Sequence, residues 1–145
     1  MSAYADTALL CSLYTPDAHT ARAIACLGKQ SQPLPIVWLH QLEVRNALRL
    51  RVFRREITGA QRDTSLNALL ADLANGVLVT ASPPLTAVLI EAERLSALHS
   101  ERIGTRSLDI LHVAAAVVLG SREFLTFDHR QAQLARAAGL VVPVV

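Results

Sequence analysis

The chain has 145 residues, of which 52% are hydrophobic, and a formal charge of +2 at pH 7. This length suits one domain, expected over residues 1–145, with a real core. The composition excludes a disordered or linker-like chain. The longest unbroken apolar run, Val113 to Leu119, falls far short of the roughly 20 residues a membrane helix needs. Met1-Ser2-Ala3-Tyr4 carries neither a basic region nor a cleavage-site pattern, so a cytoplasmic protein with no membrane partner is expected. Thirteen of the fourteen basic residues are arginine, a bias that suits phosphate contacts and equally suits a GC-rich genome. Cys11 and Cys26 belong to no metal-spaced or redox-spaced pair and read as buried apolar residues.

In chain order, strands are predicted at Ala3–Asp6, Ile36–Leu39, Gly76–Thr80, Glu123–Phe127 and Leu140–Val144. Helices are predicted at Thr7–Tyr14, Asp17–Lys29, His40–Glu56, Gly59–Leu73, Leu85–Ser100, Ser107–Leu119 and Arg130–Ala138. Breakers separate them: Pro33 and Pro35, Asn75-Gly76, Pro83-Pro84, Gly104, Gly120 and Gly139. Thr58 precedes one helix, and Thr105 or Ser107 can cap the helix of Asp109. Pro143 confines the last strand to an edge or to its own last residues. Short strands alternating with helices predict an α/β fold, a single doubly wound, Rossmann-like domain whose parallel central sheet is flanked by helices.

Four acids stand where an acid is costly. Asp6 closes the first strand and Asp128 follows Phe124-Leu125-Thr126-Phe127. Glu43 comes one turn after Ile36-Val37-Trp38-Leu39, and Asp109 is the only charge between Leu108 and Leu119. In open parallel sheets ligands bind beyond the carboxyl ends of the strands, so four such acids can converge on one site. An oxygen-only cluster without cysteine suits Mg²⁺ or Mn²⁺. Each acid also has a plainer reading. Asp6 can cap the following helix, Glu43 can join a surface ion pair, and Asp128 can be a loop acid or a helix cap.

The order of these segments resembles the PIN-domain ribonucleases, and among them the toxin subunits of VapBC-type toxin–antitoxin pairs. The resemblance rests on Tyr4-Ala5-Asp6-Thr7, Leu42-Glu43-Val44, Ser107 to Ala116, Phe124 to Arg130, and Gln133 to Leu140. It implies that Asp6, Glu43, Asp109 and Asp128 hold one or two divalent ions (Mg²⁺ or Mn²⁺), and that a metal-activated water attacks an RNA phosphodiester. It further implies that the hydroxyls of Thr7 and Thr126 orient ligands or water, that a cognate antitoxin can insert a basic side chain among the carboxylates, and that the chain forms a homodimer. The chain departs from the pattern at Ala8, where many relatives carry Ser or Asn.

Arg45, Arg49, Arg51, Arg54 and Arg55 crowd the helix that carries Glu43, without forming one stripe. Arg45 and Arg49, with Arg130, are candidate RNA-phosphate contacts. His112 reads as a hydrogen-bonded core residue, and Trp38 as core within its strand. Two other readings stay open: a nuclease of RNA processing or of DNA that works without an antitoxin, and a non-catalytic interaction module.

Overall fold

A computed structural model describes residues 3–143. In chain order the elements are β1 (Ala3–Ala5), α1 (Thr7–Tyr14), α2 (Thr20–Gly28), β2 (Leu34–Ile36), α3 (Trp38–Phe53), α4 (Gly59–Ala74), β3 (Leu78–Thr80), α5 (Leu85–Leu95), a π-helical turn (Ser96–Ser100), α6 (Glu101–Ile103), α7 (Ser107–Val118), β4 (Glu123–Leu125) and α8 (His129–Ala137). The α/β class expected from the alternation is present, with helix predominating. Two compact units make up the chain: Thr7–Ala81, and Met1–Asp6 joined by Ser82–Val145.

The discontinuous unit is built on β1 and β4, which pair in parallel with Tyr4 opposite Phe124 and Ala5 opposite Leu125. Both strands are almost wholly buried, as expected where helices cover a parallel pair. Tyr4 stacks on Phe124 at 5.6 Å between ring centroids. Its hydroxyl lies 2.7 Å from Nδ1 of the buried His112, so His112 is the hydrogen-bonded core residue anticipated. Val141 adds one bridge beside Glu123, and Pro143, which has no N–H, cannot extend the ladder. The predicted strand Leu140–Val144 therefore shrinks to that bridge, and Val144 lies outside the described residues.

Helix α7 is buried along Val113-Ala114-Ala115-Ala116. Its small side chains let α5 pack against it, where Val88, Ala92 and Leu95 are buried. The helix predicted over Leu85–Ser100 does not run through unbroken. It widens into the π-helical turn, continues as α6 and stops at Gly104, whose φ of 76° is the left-handed cap that glycine tolerates best. Neither Thr105 nor Ser107 caps α7; the capping position is Arg106, with extended backbone and no side-chain cap.

In the unit Thr7–Ala81, β2 and β3 pair in parallel with Pro35 opposite Val79. The strand predicted at Ile36–Leu39 lies earlier, at Leu34–Ile36, because α3 begins already at Trp38. Nδ1 of the buried His40 accepts the Val37 N–H at 3.1 Å, which satisfies a backbone donor at the helix start. Trp38 is consequently on α3 and 43% exposed, rather than a core strand residue. At α4 the Thr58 start is as read: its hydroxyl accepts the Gln61 N–H while Gln61 Oε1 accepts the Thr58 N–H.

The expected single central sheet is not formed among the described residues. β1 pairs with β4 and β2 with β3, each as a two-stranded sheet. Three-residue strands supply few ladder bonds, and the buried surface is carried mainly by helices. Among the described residues no helix is long and apolar enough to cross a membrane.

Candidate active site

The carboxyl ends of β1 and β4 bring Asp6 and Thr126 together. Asp6 donates its backbone N–H to Leu125 O at 3.0 Å, which holds it in register just past β1. Its side chain is buried, and the equally buried Thr126 hydroxyl donates to its Oδ2 at 2.6 Å. The same Thr126 oxygen accepts the Asp128 N–H at 3.0 Å and lies 3.1 Å from Oε1 of Gln131.

Asp128 caps α8, its Oδ1 accepting the Gln131 N–H at 2.8 Å. The helix-cap reading is thus present, yet Asp128 also faces solvent on a cleft of about 400 Å³. Asp109, in the first turn of α7, lines the same cleft. Arg106 and Arg130 add positive charge to its wall, and His129 lines it as well. Arg106 Nε donates to Asp109 Oδ2 at 3.0 Å, with the arginine side chain 79% exposed and the aspartate 24%. The hydrogen bond to Asp109, and then the charge of Asp109, raise the Arg106 guanidinium pKa above its ordinary value. Behind the cleft, Gln131 Nε2 reaches the Asp109 carbonyl at 3.5 Å, so one buried amide spans from Thr126 to the start of α7.

Of the predicted acids, then, Asp109 and Asp128 share a cleft, and Asp6 lies behind Thr126. Glu43 belongs to the unit Thr7–Ala81, half-buried on α3, where its Oε1 accepts the Thr7 hydroxyl at 2.9 Å. Of the predicted RNA contacts, Arg130 lines the cleft. Arg49 is exposed on α3, and Arg45 is tied back to the Gln41 carbonyl at 3.2 Å and to the Gln41 side chain. Two contributors went unnoticed in the sequence. Gln131 follows Asp128 at the spacing of a capping box, and Arg106 precedes Asp109 at the i,i+3 spacing of a helical ion pair.

Among the described residues no three Asp, Glu, His or Cys side chains form a group that could hold a metal ion. Mg²⁺, however, is ordinarily held by one or two carboxylates together with water and substrate phosphate, not by an all-protein cage. Asp109 and Asp128, oxygen donors on a cleft open to solvent, fit that mode.

No family model matches the chain, and no curated protein matches it. A crystal structure of FitAcB from Neisseria gonorrhoeae is similar over 97% of this chain and 95% of that one, with a TM-score of 0.63 at 16% identity. This likeness is one of fold. The assignment to the PIN-domain ribonucleases and VapC-type toxins does not stand. Among the described residues the strands form two pairs of three residues each in place of the central sheet, the chain is largely helical, and the likeness to FitAcB does not supply the family.

Thr126→Val keeps the shape of the side chain and removes its hydroxyl, taking one partner each from the Asp6 carboxylate and the Asp128 N–H. The expected loss of stability is about 1–3 kcal/mol, read as a lower urea midpoint, with Thr126→Ser close to wild type. An unchanged midpoint for Thr126→Val would show that the hydroxyl contributes nothing.

Proposed function

We propose that the chain is a Mg²⁺- or Mn²⁺-dependent endoribonuclease that works as one member of a toxin–antitoxin pair. The observation that carries this reading is the cleft itself, where the carboxylates of Asp109 and Asp128 stand beside the cationic side chains Arg106 and Arg130. Carboxylates alone would repel a polyanion, and arginines alone would bind it without chemistry. Together they form a site able to take both a divalent ion and the phosphate it acts on. When bound, the ion would lower the pKa of a water to yield the nucleophile and offset charge on the phosphoryl oxygens.

The chain's own residues have separate tasks. Asp109 and Asp128 would hold the ion, Asp128 through the oxygen its helix cap leaves over. Thr126 and Gln131 fix the backbone of both, and Asp6 anchors Thr126. Arg130 and His129 at the start of α8 would receive the flanking phosphates. The likeness in fold to FitAcB lends weight to the toxin–antitoxin context.

Purified chain incubated with single-stranded and structured RNAs should cleave in Mg²⁺ or Mn²⁺ and stop in EDTA. Asp109→Asn and Asp128→Asn should each lower the rate on the order of 10²–10³-fold, the scale of losing one charged group at a reacting centre. Cleavage that persists in EDTA, or in both variants, contradicts the reading. Self-association belongs to the same proposal, since Leu85, Leu89 and Ile90 on α5 are 51%, 51% and 67% exposed. Light scattering should give twice the chain mass; a monomer at all concentrations would remove the dimer.

A further inference from the structure

The cleft carries its own cation. Arg106 immediately precedes α7, and its contact with Asp109 runs through Nε alone, leaving the terminal amino groups of the guanidinium without a partner within the described residues. Most of the side chain is in water, and an ion pair so exposed is weak and easily exchanged. Asp128 adds a smaller attraction to that of Asp109, so the guanidinium lies in the field of both carboxylates that would hold a divalent ion. A planar fork with free N–H groups is also the side chain best matched to a phosphate diester.

Building on the ribonuclease reading above, we infer that Arg106 is a transferable counter-ion: it neutralises Asp109 in the free chain, then moves to an RNA phosphate when substrate enters, releasing the carboxylate to the metal. The metal takes the place of the guanidinium on Asp109: the Arg106–Asp109 hydrogen bond is given up for a metal–carboxylate bond, and no covalent bond changes. Substrate and metal binding are thereby coupled, because each phosphate captured by Arg106 removes a competitor of the metal. Linkage requires the reciprocal effect, tighter RNA binding once the metal is present.

Calorimetric titration with Mn²⁺ alone, on the full chain, separates the parts of this inference. Arg106→Gln should bind Mn²⁺ about two- to fivefold more tightly than wild type, the scale of losing one exposed ion pair. Binding of a short single-stranded RNA in EDTA, followed by fluorescence anisotropy across a salt series, should lose about 0.7 from the slope of log affinity against log salt, one phosphate contact's share. Arg106→Lys, which keeps the charge, should keep the slope. Because Arg106 is exposed and outside the core, the variants are expected to fold. Wild-type Mn²⁺ affinity or a wild-type salt slope in Arg106→Gln overturns the transfer. If Mn²⁺ binding is nevertheless lost in Asp109→Asn, the metal site survives that result. Absence of Mn²⁺ binding in wild type and Arg106→Gln alike overturns both.

Discussion

Asp6 is only 4% exposed, and a carboxylate withdrawn from water costs several kcal/mol unless hydrogen bonds replace the hydration it has lost. The 2.6 Å bond from Thr126 supplies one replacement, and the geometry of the candidate site follows from it. Thr126 is fixed by donating to Asp6, and so its oxygen is turned to accept the Asp128 N–H. Asp128 is thereby held at the start of α8, where its carboxylate caps the helix and still borders the cleft. A residue that would weaken the fold if left alone instead sets the position of the one that faces solvent.

The two kinds of carboxylate therefore differ in their work. Asp6 is enclosed and structural in its immediate contacts, while Asp109 and Asp128 reach open solvent and can exchange partners. The energetics differ accordingly. Disturbing Asp6 or Thr126 should be felt in stability, because buried polar groups lose a partner that water cannot replace. Disturbing Asp109, Asp128 or Arg106 should be felt in binding and rate, because exposed ion pairs contribute little to folding.

Much of this arrangement was legible in the sequence. An isolated charge at the head of an apolar helix marked Asp109, and acids closing short apolar runs marked Asp6 and Asp128. The parallel pairing of their strands could be anticipated from the α/β alternation. The number of strands in one sheet was not legible, since short apolar runs say nothing about which neighbours they pair with. Trp38 was misplaced because hydrophobicity alone made Ile36–Leu39 a strand, whereas the ring of His40 starts a helix there. Arg106 was overlooked for a related reason: its importance comes from the cleft it faces, and it looked like one arginine among thirteen. The family resemblance failed because segment order is compatible with more than one arrangement of sheets.

The central claim is that Asp109 and Asp128 hold one divalent cation between them. A crystal of the chain soaked in Mn²⁺ and measured near the manganese absorption edge tests it directly. One anomalous peak is expected within bonding distance of oxygens from both carboxylates, with Arg106 displaced from Asp109. A fully soaked crystal with no peak in the cleft, and with the Arg106–Asp109 pair intact, would contradict it.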